Sequence, residues 1–83
     1  MAKQTTAEKL ANMENDVFRA YGMDRRPAGK LWLQMVLDLA KRITEEIPPE
    51  DLTPEVLDEL TADNFHTVRH AAELVLELWR FQI

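Results

Sequence analysis

Two histidines, four residues apart, are the side chains best suited to metal chemistry in this chain. In the stretch HTVRH, a helix places His66 and His70 on one face, from which both imidazoles reach a single zinc ion. Asp63 and Glu73 lie near the same strip and offer carboxylate ligands. A zinc-protease helix, however, carries glutamate directly after its first histidine, and here that residue is Thr67. We therefore favour a solvated polar face and keep a metal site as the alternative.

The segment GMDRRPAGKLW has the composition of a phosphate-binding loop but not its spacing. A P-loop places four residues between its glycines and a serine or threonine after its lysine, and it follows a strand. Here six residues separate Gly22 from Gly29, and Leu31 follows Lys30. We interpret the segment as a helix connection, in which Gly22 ends one helix, Asp24 caps the next and Pro27 lies in its first turn.

Three cations in this segment remain candidates for contact with a partner: Arg25, Arg26 and Lys30. They lie near a helix N-terminus, where positive charge opposes the helix dipole. We therefore do not expect these three cations to stabilise the helix. Contact with nucleic acid through this corner is an alternative, although a pI near 4.9 opposes binding to phosphates.

Nucleophilic catalysis has little support in the composition. Cysteine and serine are absent, which removes the two commonest nucleophiles and any thiolate metal site or disulfide. No pair of carboxylates and no histidine–nucleophile pair converges by spacing. We expect a protein that is not an enzyme and holds no cofactor.

Charge is divided unevenly along the chain. Residues 1–42 carry eight Lys/Arg and five Asp/Glu, a net +3, whereas residues 43–83 carry two and ten, a net −8. No lysine or arginine lies between Arg42 and Arg69, and eight acids do. This stretch is either a solvated surface or a surface that meets a basic partner, because patches of one sign steer association. Glu55, Asp58 and Glu59 are its candidate partner-binding residues.

The pattern of apolar residues predicts four helices, at about 6–21, 25–46, 54–60 and 62–80, in a single domain. Thr5 and Glu8 form a capping box for the first helix. Pro48 and Pro49 end the second helix, and Thr53 and Thr61 are read as caps of the third and fourth. The second helix also offers Asp38 and Arg42 as a surface ion pair, at a spacing of four residues. Residues 79–83 fit either a last helical turn or a short strand.

Glu14 is the exception on the apolar side of the first helix. A buried carboxylate is costly unless it is paired. We expect Glu14 to lie at the edge of the apolar arc and reach water, with an interior hydrogen bond to a tyrosine or an arginine as the alternative.

These patterns predict an all-α fold, a small bundle of three long helices and one short helix. The second and fourth helices have apolar arcs wider than the roughly 100 degrees of a one-sided surface helix, so each contacts more than one neighbour. Uncovered apolar surface marks interfaces, and we expect a homodimer, with a compact monomer as the alternative. The candidate interface residues are Trp32, Leu74, Leu78, Trp79, Phe81 and Ile83.

The functional hypothesis is a non-catalytic protein–protein interaction module, a small acidic helical adaptor or inhibitor that acts through an apolar helix face. Phage-encoded inhibitors of host machinery offer an analogy of size and charge only. The alternatives are a nucleic-acid-associated regulator and a metal-binding protein, which use the corner cations and the two histidines described above. The start MAKQTTAEKL lacks the apolar core of a signal peptide, and no apolar run approaches a membrane span. We therefore expect no membrane partner and a cytoplasmic location.

Overall fold

The chain folds into helices joined by short turns. A computed structural model describes residues 4–23 and 27–80, and these residues contain no strand. Three helices are long and one is short, as the sequence predicted. The elements are α1 (Thr6–Ala20), α2 (Lys30–Glu46), a 3₁₀ turn (Pro49–Asp51), α3 (Pro54–Ala62) and α4 (His66–Arg80).

Local signals set the two ends of α1. The Glu8 N–H donates to the Thr5 hydroxyl oxygen at 3.1 Å, and that hydroxyl donates to the Glu8 carboxylate at 3.2 Å, which confirms Thr5 as the cap. At the other end Gly22 has a φ of +68°, and the Met23 N–H donates to the Phe18 carbonyl at 2.9 Å. This is a Schellman ending, in which a left-handed residue stops the helix.

Helix α2 begins later than the sequence predicted. Its first residue is Lys30 rather than residue 25, and Pro27 precedes the helix instead of lying in its first turn. The physical reason is Gly29, whose φ of +69° is incompatible with a helical path through that residue. The predicted cap Asp24 lies outside the described residues.

The boundary between α3 and α4 also differs from the prediction. Helix α3 extends to Ala62, and α4 begins only at His66. Thr61 caps nothing, because it lies inside α3 and its hydroxyl donates to the Leu57 carbonyl. The turn is a second Schellman ending. Asn64 takes the left-handed conformation at a φ of +65°, and the Phe65 N–H returns to the Leu60 carbonyl at 2.8 Å.

Helix α4 packs against each of the other three helices and most extensively against α2, so α4 rather than α2 lies at the centre of the fold. Alanines on α4 are fully buried, which lets the two helix backbones approach closely. All four helices supply side chains to one core: Leu10, Met13, Val17, Met35, Val36, Leu39, Ala40, Ile43, Ile47, Leu52, Leu60, Val68, Ala71, Ala72 and Val75. Leu33 and Leu37, one turn apart on α2, lie at the surface, so the buried arc of α2 is narrower than its apolar arc. Within the described part, no helix has the length and hydropathy to cross a membrane.

Glu14 is buried, and it joins α1 to α4. Its side chain is only 8% exposed, and its carboxylate accepts a hydrogen bond from the backbone N–H of Val68 at 2.9 Å. The expectation that this side chain reaches water is wrong, because the carboxylate is buried and binds a backbone N–H. The interaction spans 54 residues of chain.

This bond replaces a missing helix cap. Phe65 occupies the cap position of α4, since its carbonyl accepts the first helical hydrogen bond from the Arg69 N–H, but phenylalanine has no side-chain acceptor. Val68 is the third residue of α4, where an N–H normally binds a capping side chain. The Glu14 carboxylate fills that role from another helix, and its negative charge also complements the positive end of the α4 dipole.

We predict that Glu14→Ala lowers the free energy of unfolding by about 1 to 3 kcal/mol, because it leaves the buried Val68 N–H without this acceptor. Glu14→Gln keeps an acceptor oxygen but loses the charge, so we expect a smaller loss. Urea denaturation followed by circular dichroism measures both values. Glu45→Ala, at an exposed position of α2, is the control. Equal losses for Glu14→Ala and Glu45→Ala would contradict the capping role.

Candidate functional site

The two histidines face different surroundings. His66 lines a cleft of about 220 Å³ that Glu14, Phe18 and Thr67 also line. The His70 ring lies against the Trp32 ring, with centroids 5.2 Å apart and planes tilted by 40°. Among residues 4–23 and 27–80, no three His, Asp or Glu side chains come together to hold a metal ion. The metal hypothesis therefore finds no third ligand in this part of the chain.

The corner cations are only partly visible in the structure. Arg25 and Arg26 lie outside the described residues, so their predicted contact with a partner stays a prediction. Lys30 is exposed and is the first residue of α2. The nucleic-acid hypothesis stays a prediction.

The acidic stretch is solvent-exposed throughout. All eight of its carboxylates, from Glu45 to Asp63, are exposed, including the candidate partner residues Glu55, Asp58 and Glu59. Within the described ranges the ion pairs are Arg69 with Glu73 and Arg80 with Glu77, both inside α4. None of the eight acids is thus neutralised by a described cation, which leaves their combined field available to a partner.

The hydroxyl of Tyr21 and the carboxylate of Asp38 form a contact that the sequence did not predict. Tyr21 donates to Asp38 Oδ2 at 2.5 Å, and no Asp38–Arg42 ion pair forms. The phenol at the end of α1 approaches Asp38 from the neighbouring helix and makes a short, charge-assisted hydrogen bond. This bond raises the pKa of Tyr21 above its ordinary value of 10.0, with smaller contributions from desolvation and from the charge of Asp38.

The candidate interface residues have different environments. Trp32 is half-buried, and its indole N–H donates to the Thr67 hydroxyl at 3.2 Å, so it joins α2 to α4 within the chain. Leu74 is half-buried against the core. Leu78 and Trp79 are 54% and 45% exposed. Phe81 and Ile83 lie outside the described residues.

Leu78 and Trp79, which we call the α4 end, continue the buried side of their helix. Leu78 follows Val75 by three residues and Trp79 follows it by four, so both fall on the same face as Val75. Val75 itself is buried. The two side chains are exposed because the other described helices do not cover the last turn of α4. The α4 end is therefore an apolar patch that continues the buried face of α4 but is exposed to solvent.

A groove between α1 and the end of α3 forms a second distinctive surface. It has a volume of about 380 Å³, with an apolar floor and carboxylates from both helices. We call it the acidic groove, and it is lined by Thr5, Ala7, Glu8, Ala11, Glu59, Leu60, Asp63 and Phe65. No described cation lines it.

Only part of the acidic groove is predictable from the sequence. The sequence indicates Glu59 as a candidate partner residue, Asp63 as a carboxylate near the histidines and a member of the acidic stretch, and Glu8 as part of a helix cap. Glu8 has two roles, since it belongs to the capping box of α1 and also lines the groove. Its approach to Glu59 depends on how α1 packs against α3, and no local pattern encodes that contact.

Comparison with protein-family models, with curated proteins and with solved structures gives no match. Any functional conclusion therefore depends on the chain's own chemistry and geometry.

We predict that the phenol of Tyr21 titrates above pH 10.0. Because it is the one tyrosine in the chain, absorbance of tyrosinate reports its titration directly. Asp38→Asn removes the charged acceptor, so we expect the midpoint to fall towards 10.0, while Asp16→Asn, also on the surface, leaves it unchanged.

The same shift sets the sign of a stability effect. A folded-state pKa above the unfolded value means that the bond stabilises the fold fully below pH 10.0, and that this contribution is lost as pH rises through the folded pKa. Tyr21→Phe should abolish this component of alkaline destabilisation. An unchanged midpoint in Asp38→Asn would contradict the assignment.

Proposed function

We propose that this protein is a non-catalytic protein–protein interaction module, a small acidic helical adaptor or inhibitor, and that it associates through the α4 end. The observation that carries the proposal is the exposure of Leu78 and Trp79 on the core-facing side of α4. Tryptophan is a typical anchor of interfaces, and burying Trp79 together with Leu78 removes apolar surface from water.

The simplest partner for the α4 end is a second copy of the chain. A two-fold dimer brings the same patch of both copies together, so Leu78 and Trp79 of each copy cover those of the other. Small domains also bury a limited share of their surface alone, and association adds to that burial. The exposed acids of residues 45–63 then remain at the surface, where they favour basic partners and repel acidic ones. The cytoplasm is the compartment that we propose for it.

We predict that the native protein has a mass near twice 9.7 kDa in solution, and that Leu78→Ala/Trp79→Ala shifts it towards 9.7 kDa. Truncation of two anchors weakens association because interface energy concentrates in a few such side chains. Light scattering coupled to size exclusion, over a range of protein concentrations, measures the mass.

Leu37→Ala is the matched control, since Leu37 is 52% exposed but lies on α2, outside the α4 end. It should leave the mass unchanged. A monomeric mass for the native protein at every concentration would overturn the dimer. A dimer that Leu78→Ala/Trp79→Ala leaves intact would overturn the assignment to the α4 end.

A further inference from the structure

We infer that the acidic groove is the docking site for a basic amphipathic helix of a partner protein. This inference deepens the proposed function, on which it rests, by assigning the partner site to a surface other than the α4 end. Three features of the groove support it: its apolar floor, the distribution of its carboxylates and the lack of a described cation beside it.

The floor provides the apolar part of the contact. Ala7 and Ala11 lie one turn apart on α1, and their small side chains leave room for a bulkier side chain from outside. Leu60 and Phe65 close the groove from the α3 side. A helix that lays an apolar face into a groove of this kind is a common mode of peptide recognition.

The carboxylates specify the charge of that helix. Glu8 comes from α1, whereas Glu59 and Asp63 come from the last turn of α3 and its end, so they border the groove from both helices. None of the three has an ion pair within the described part of the chain. They also do not form a cluster that holds a metal ion. Carboxylates distributed in this way suit several lysine or arginine side chains carried on one element better than a single cation.

The probe is a synthetic amphipathic helix of leucine and lysine, labelled for fluorescence anisotropy, with the full chain as the receptor. We expect Glu59→Gln/Asp63→Asn to weaken its binding by about tenfold or more, since two of the three groove charges are lost. Glu50→Gln/Asp51→Asn removes the same net charge at exposed positions outside the groove, and should change the affinity by about twofold or less. Glu8 is left intact because it belongs to the capping box.

Amide chemical shifts locate the bound probe. We expect the shifts of Ala7, Ala11, Leu60 and Phe65 to move when the probe binds. Equal weakening by the two charge variants would show general attraction to an acidic protein and would overturn the inference. So would shifts confined to the α4 end, or a change in the mass of the protein alone caused by Glu59→Gln/Asp63→Asn, which would make a second copy the occupant.

The test of the docking site can be distinguished from the test of the homodimer. Probe binding is measured again with Leu78→Ala/Trp79→Ala, and we expect an unchanged affinity. If the native protein is monomeric yet binds the probe in the groove, the dimer is overturned and the docking site is supported. The opposite outcome is a dimer that binds the leucine–lysine probe no more tightly than it binds a control peptide with glutamate in place of each lysine. That outcome would support the dimer and overturn the docking site.

Discussion

The bond from the Val68 N–H to the Glu14 carboxylate is the constraint on which the arrangement of the helices depends. A helix whose cap position holds phenylalanine has no side-chain acceptor of its own for its first N–H groups. Helix α4 therefore needs α1 at its N-terminus, and the burial of Glu14 is tolerated because the carboxylate has this donor. The same contact fixes α1 beside the α3–α4 turn, and that position creates the acidic groove. Folding and the geometry of the proposed partner site are thus coupled through one side chain.

The elements that sequence reasoning predicted correctly are those with local signals. The cap at Thr5, the stop at Gly22 and the cap at Thr53 each depend on residues within one or two turns, and the structure shows all three. The two wrong boundaries have a common cause. At Gly29 and Asn64 a residue with a positive φ sets the helix boundary, and glycine and asparagine adopt such a φ only in some contexts, so residue type alone does not predict it.

The contacts that define the surfaces were beyond local patterns. Glu14 finds its partner on another helix, and Asp38 binds a phenol from α1 instead of an arginine one turn away. The periodicity of α4 indicated correctly that its apolar side is wide, but it does not show where the neighbouring helices stop covering that side. Leu78 and Trp79 follow the pattern of a buried face, and only the lengths and placement of the other helices leave them in solvent.

The two tryptophans occupy opposite kinds of environment, and this makes the chain its own optical reporter. Trp32 is held between α2 and α4 by a hydrogen bond and a ring contact, so its emission depends on whether those helices are packed. Trp79 projects into solvent from the last turn of α4, so its emission depends on what covers that turn. Single-tryptophan variants separate the two signals. Unfolding and the proposed association, which overlap in most spectroscopic measurements on small helical proteins, would here be reported by different indole rings.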